Sequence, residues 1–182
     1  TRGCLQVLLE FKNPVAIITK NRLITRDIDI FKEMHTYQGC SVTISLTTLD
    51  SDLSHVMEPR ASIPAHRLEA IRQLHDAGIP VGVNLAPMIP GLTADEIPSL
   101  LKAAAKAGAQ YASFVVLRLP YAVKDLFQTW LAKHFPDRKE KVLNRIRAMR
   151  GGRLYDSRFG KRMHPEGIFA ENIEALFKAG CL

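Results

Sequence analysis

Apolar positions along the chain follow two rhythms in alternation, short β-branched runs and longer stretches with helical spacing. Leu5, Leu8 and Leu9 give Thr1–Phe11 a helical face that Asn13-Pro14 ends. Val15–Ile18 then reads as a buried strand. Asp27–His35, with Ile28, Ile30, Phe31 and Met34, is an amphipathic helix closing before Gly39, and Ser41–Leu46 is a second strand. A polar loop containing Glu58-Pro59-Arg60 leads to a helix over Pro64–Ala77 whose apolar face is Leu68, Ile71 and Leu74. The third strand, Val81–Ala86, runs into a Pro/Gly-rich turn, Pro87–Gly91. A helix from about Thr93 to Ala107 follows, with Gly108 as its stop. Thr93-x-x-Glu96 has capping-box spacing; a start at Asp95 instead puts Pro98 in the first turn. Tyr111–Leu119 is the fourth strand, closed by Pro120. Helices over Ala122–Phe135 and Arg138–Met149, a Gly151-Gly152 break, an irregular basic loop and a short helix over Phe169–Lys178 complete the order.

This αβαβαβαβαα order separates the strands by long crossovers and contains none of the short turns of hairpins, so it predicts four parallel strands in an α/β fold. Near-continuous apolar strands predict a sheet covered on both faces. An open four-stranded sheet and part of a barrel both satisfy the pattern. Either way, ligands bind beyond the carboxyl ends of parallel strands. Those ends carry Lys20, Ser45, Thr47, Asn84 and Arg118, which would converge on one mouth as a set able to hold hydroxyls, a carboxylate and a base. The turn after the third strand would offer free backbone N–H and C=O groups to a nucleoside edge. Each residue also has a plainer use. Lys20 can snorkel to the rim, Ser45 can satisfy a neighbouring backbone group, and Arg118 can pair with Asp50 or Glu58. Glu58 and Arg60 can form a surface pair worth little, and Glu96 can cap a helix.

With 182 residues and 47% apolar content, the chain can bury one domain's core. No apolar run approaches the roughly 18–20 residues of a membrane span. The chain opens Thr-Arg-Gly-Cys with no visible signal peptide, and it reads as a piece of a longer protein. Net charge is +7, and the excess lies late, between Lys133 and Arg162. Such a segment suits nucleic acid or another polyanion, although it has too few aromatic residues for a stacking platform and equally fits a solvated helix face with a basic tail. Cys4, Cys40 and Cys181 are far apart and odd in number, which points to a reducing cytoplasm and offers no local spacing for zinc or an iron–sulfur cluster. The six histidines form no HxH or HExxH pair, and GxSxG, Walker A and GxGxxG are absent.

One ordered set of segments narrows the field. Ala16-Ile-Ile-Thr-Lys-Asn21, Thr25-Arg-Asp27 and Val42-Thr-Ile-Ser-Leu-Thr-Thr-Leu-Asp50 come first. Glu58-Pro-Arg60, Arg67-Leu-Glu-Ala-Ile71 and Ala77-Gly-Ile79 follow, then Ala86-Pro-Met-Ile-Pro-Gly91 and Leu117-Arg-Leu-Pro120. Together they resemble the radical SAM superfamily, near the bacterial proteins akin to spore photoproduct lyase. The resemblance covers Thr1–Pro120, and Arg150-Gly-Gly152 and Arg158-Phe-Gly160 look like the C-terminal extension of the same subgroup. It implies the C-terminal part of a partial (β/α)6 TIM-like barrel, with residues 1–120 as strands three to six of the core and 121–182 as a helical extension. It also implies S-adenosylmethionine (SAM) as cofactor. Ser45 and Thr47 would lie along the ribose, and Ile89 and Gly91 would set their backbone against adenine. Lys20, Asn21 and Arg67 would meet the ribose or the methionyl carboxylate.

The family's CxxxCxxC loop for a [4Fe–4S] cluster is absent from these residues, as is the segment that meets the methionine amine; by resemblance both would precede Thr1. Pro87 also stands where many relatives carry Gly. The resemblance therefore implies a parent enzyme that generates a 5′-deoxyadenosyl radical and acts on an unknown substrate, drawing electrons from a donor such as flavodoxin or ferredoxin. This chain alone would be inactive. Two other readings stay open: a (β/α)-barrel lyase or aldolase with Lys20 as Schiff-base nucleophile, and a non-catalytic nucleic-acid module built on residues 133–162.

Overall fold

The computed structural model describes residues 1–160 and 162–181. Its four strands are β1 (Val15–Thr19), β2 (Cys40–Ser45), β3 (Val81–Met88) and β4 (Tyr111–Val116), adjacent in sequence order in one parallel sheet. Register runs from Val15↔Cys40 to Thr19↔Ile44 between β1 and β2, and from Val42↔Val81 to Ser45↔Asn84 between β2 and β3. Helices α1 (Arg2–Glu10), α2 (Ile28–His35), α3 (Ser51–Met57), α4 (Pro64–Asp76) and α5 (Ile97–Lys106) punctuate the strands. After β4 come α6 (Val123–His134), α7 (Lys139–Ala148) and α8 (Ile168–Gly180). The chain divides into two compact units, Thr1–Asn84 with Leu100–Ser113, and Leu85–Ser99 with Phe114–Leu182.

In the first unit, β2 and the start of β3 form the centre. Val42, Ile44, Val81 and Val83 are sealed from solvent together with Phe31 and Met34 of α2 and Ile71 and Leu74 of α4. The buried stripe of α4 is Arg67, Ala70, Ile71 and Leu74, ordinary helical spacing with a cation at its first position. The sequence pattern assigns that place to Leu68, which is only half-buried. Edge strands differ from central ones. β1 alternates along its length with Ile18 66% exposed, and β4 begins with exposed Tyr111 and Ser113, so the expectation of two covered faces holds for β2 and β3 and fails for β1 and β4. Tyr111, at the start of β4, reaches over Gly82 and donates from its hydroxyl to Val42 O at 3.0 Å. A Cβ at Gly82 would come within 2.1 Å of that ring, so any other residue there requires the Tyr111 ring to move.

The second unit gathers Leu85, Met88, Ile89 and Ile97 with Leu119, Leu131, Val142, Leu143 and Ile146 in its core. Phe114 meets Phe177 of α8 at 4.7 Å between ring centroids. β3 continues through Pro87 to Met88, past the predicted end at Ala86, and β4 stops at Val116, short of Leu119. α3 is an element that hydrophobic spacing did not predict. Asp50 caps it, its carboxylate accepting from Asp52 N (2.8 Å) and Leu53 N (3.1 Å). No helix among the described residues is long and apolar enough to cross a membrane.

The contrast between centre and edge is measurable. Ile71→Ala should lower unfolding free energy by about 2–5 kcal/mol in urea titrations, whereas Ile18→Thr on the exposed face of β1 should stay within about 0.5 kcal/mol of the parent.

Candidate functional site

The carboxyl ends of β1 and β2 are joined through one carboxylate. Helix α3 ends at Glu58, whose N–H donates to Ser54 O at 2.8 Å and whose side chain is 11% exposed. Glu58 Oε1 takes the Lys20 ammonium at 2.5 Å and the Thr47 hydroxyl at 3.2 Å, while Oε2 takes Arg67 Nη2 at 2.6 Å. Arg67 is 1% exposed and directs its other donors at backbone, Nε to Ser62 O (2.6 Å) and Nη1 to Ser45 O (3.1 Å). Ser62 N in turn donates to Lys20 O at 3.1 Å. A guanidinium on the apolar stripe of α4 would be costly without these partners. With them, it fastens both strand ends and the loop between α3 and α4 to one point.

Burial alone would raise the Glu58 pKa, but hydrogen bonds and charge from Lys20 and Arg67 outweigh it, and the carboxyl is held below its ordinary range. Two cations, Lys20 and Arg67, face this one carboxylate. The sequence reading of Glu58 with Arg60 as a surface pair is therefore corrected: Glu58 is the hub. Its signal was the Asp50 cap, which starts a helix of the right length to place residue 58 at its end.

The other strand-end residues of this unit have distinct surroundings. Ser45, the last residue of β2, is 4% exposed, and Thr47 and Thr48 just beyond it are buried as well. Asn84 faces Ser113, whose hydroxyl lies 3.2 Å from Asn84 Oδ1. Asn21 works as a cap: its Oδ1 accepts from Leu23 N (3.0 Å) at the start of a 3-10 turn, Arg22–Asp27. Arg67 has its donors engaged by protein and lies beneath the strand ends.

In the second unit, Ile89 is 1% exposed, and its backbone is engaged within its own turn. Ile89 N donates to Thr93 Oγ1 at 2.9 Å, and Ile89 O accepts from the N–H groups of Leu92, Thr93 and Ala94. The expectation of free backbone groups is thus corrected at Ile89. The capping box also does not form, because the Thr93 hydroxyl turns back to Ile89; a 3-10 turn, Ala94–Glu96, precedes α5 instead. Gly91 holds φ +82°, a conformation suited to glycine, with the Arg145 guanidinium alongside. Arg118 is exposed and rests on Met163 Sδ.

The late cations have mixed fates. Arg150 is buried and donates to Leu117 O and Arg162 O; Arg158 pairs with Asp156; Arg145 lies over the Phe169 ring at 5.2 Å. Lys133, Arg138, Lys141 and Arg153 are exposed, and Lys161 lies outside the described residues. Cys4 and Cys181 are exposed; Cys40 is buried, its thiol against Phe31 O at 3.3 Å and its pKa raised by burial. Among the described residues no group of three His, Cys, Asp or Glu is placed to hold a metal ion.

The model of the Radical SAM superfamily matches residues 4–104. An uncharacterised protein of Mycobacterium tuberculosis (strain ATCC 25618 / H37Rv) is 31% identical over 137 residues, covering 74% of this chain and 40% of the relative. One from Methanocaldococcus jannaschii is 24% identical over 131 residues, 72% of this chain and 48% of its own length. A solved structure, spore photoproduct lyase complexed with dinucleoside spore photoproduct, superposes with a TM-score of 0.69 at 16% identity, over 99% of this chain and 52% of the lyase. At that identity the likeness is one of fold. The chain spans less than half the length of these two curated relatives and about half of the lyase.

The Glu58 hub makes a stability prediction with a definite sign. Because its folded pKa is depressed, its contribution is present above the ordinary carboxylate pKa and is lost as pH falls through the folded value. The difference in urea midpoint between the parent and Glu58→Gln should therefore be largest near neutrality and shrink below about pH 4. Arg67→Met, which strands the carboxylate, should cost about 3–5 kcal/mol at pH 7, and adding Glu58→Gln should restore part of that loss.

Proposed function

Since this chain belongs to the radical SAM superfamily, we propose that the carboxyl ends of β1 and β2 hold the ribose and methionyl portions of SAM. The observation that supports this most is the pairing of buried hydroxyls, Ser45 and Thr47, with a lysine tethered beside them by Glu58. A ribose diol needs fixed donors and acceptors in a site that excludes water, and a methionyl carboxylate needs a cation. Ser45 and Thr47 suit the first and Lys20 the second. Asn84, the β3 residue that pairs with Ser45 in register, extends the polar row. Residues 1–120 are taken as the core and 121–182 as its extension.

The parent is proposed to be a radical SAM enzyme of the reducing cytoplasm, with a flavodoxin- or ferredoxin-like donor and a substrate that this chain does not name. In the family a [4Fe–4S] cluster supplies the electron that cleaves bound SAM. The described residues of this chain do not fit such a cluster, since no three ligating side chains come together, so its own share is to bind and orient SAM. Nucleic acid is kept as a partner for residues 133–162, through the exposed cations there. No specific observation favours the Schiff-base alternative, and Lys20 is engaged by Glu58.

Equilibrium dialysis or calorimetry with S-adenosylhomocysteine tests this directly. Saturable binding is expected, weakened roughly five- to tenfold by Ser45→Ala, the loss of about one hydrogen bond. Absence of saturable binding, or indifference to Ser45→Ala and Lys20→Met, would contradict the assignment.

A further inference from the structure

The cluster at the ends of β1 and β2 is graded from interior to rim. Arg67 is 1% exposed, Glu58 11% and Lys20 35%. Arg67 uses its three nitrogens on Ser62 O, Ser45 O and Glu58. It is buried away from any ligand, and its part is to fix the carboxylate. Glu58 commits one oxygen to Arg67 and the other to Lys20 and Thr47. Both strand ends are thereby aimed by one group: the lysine from β1 and the threonine from β2 meet at Oε1. Of the two cations on this carboxylate, Lys20 is the one nearer the rim.

From this we infer that Glu58, anchored by Arg67, is a positioning residue that holds the Lys20 ammonium toward the α-carboxylate of the ligand's amino-acid end, an inference that rests on the SAM assignment above. Adenine and ribose are neutral, so an ammonium at the rim suits the carboxylate of the methionyl end better than the nucleoside end. An untethered lysine carries four rotatable bonds of side-chain freedom, which a ligand must freeze on binding. The ion pair with Glu58 removes that freedom beforehand. The cluster thus selects between SAM-like ligands and nucleosides that lack the amino-acid tail.

Charge alone and positioning predict opposite signs. Removing a carboxylate beside an anion-binding cation strengthens anion binding by simple Coulomb attraction; removing a tether weakens it. The test is calorimetry on the full chain with S-adenosylhomocysteine, which has the carboxylate, and 5′-methylthioadenosine, which lacks it. Glu58→Gln should bind S-adenosylhomocysteine roughly tenfold more weakly, leave methylthioadenosine within about twofold, and add little further loss on top of Lys20→Met, because the two act as one unit. Retained methylthioadenosine binding reports an intact fold. Equal or tighter S-adenosylhomocysteine binding by Glu58→Gln, or fully additive losses in the double variant, would overturn the inference while leaving the SAM site standing. Should Glu58→Gln not fold, Lys20→Met decides: a preference for the carboxylate-bearing ligand that survives it overturns the inference. A parent chain that binds neither ligand overturns the SAM assignment and this inference with it.

Discussion

The burial of one guanidinium organises the first unit. Arg67 stands where helical spacing demands an apolar side chain, on the same stripe as Ala70, Ile71 and Leu74. A cation in that place must be paired and hydrogen-bonded or the helix cannot dock. The solution draws three separate segments together: the end of β2 through Ser45 O, the loop before α4 through Ser62 O, and the end of α3 through Glu58. Satisfying the buried charge therefore fixes the rim of the sheet. Structure and candidate chemistry share one set of atoms, which is why Glu58 cannot be dismissed as a surface residue.

Much of the fold was legible in the sequence, because β-branched runs and helical spacing are local signals. All four strands and their parallel order follow from run length and crossover length. What was misread depended on contacts between distant residues. The spacing of Arg67 fits its stripe as well as that of Leu68 fits the face assigned from sequence, but a charged residue is scored as polar whatever its partners. The α3 helix is short, and its apolar positions are few. Its mark was the Asp50 cap, a side-chain-to-backbone signal that hydrophobic periodicity does not carry. At Thr93 the spacing fitted a capping box, and the hydroxyl instead satisfies Ile89 N in the preceding turn. Both uses offer a buried N–H the same acceptor, and only the fold decides between them.

The places of Lys20, Ser45, Thr47 and Asn84 at strand ends were legible for the same reason, because strand ends can be located once the strands are. Their neighbours were not. Asn21 is adjacent in sequence to Lys20, yet it caps a 3-10 turn, and Arg67 is engaged by backbone and Glu58. The basic segment shows the limit of counting charge: Arg150 and Arg158 are engaged internally, so formal charge overstates what that region offers a partner. The division of labour that follows is chemical. Under the proposed assignment this chain grips and orients a sulfonium nucleoside, and no three of its described His, Cys, Asp or Glu side chains come together to hold a metal.

The most direct measurement is a crystal structure of the chain with S-adenosylhomocysteine. The account predicts the ribose hydroxyls at Ser45 and Thr47 and the α-carboxylate at the Lys20 ammonium, with Glu58 still bridging Lys20 and Arg67. A nucleoside seated away from the ends of β1 and β2, or a carboxylate turned from Lys20, would contradict it.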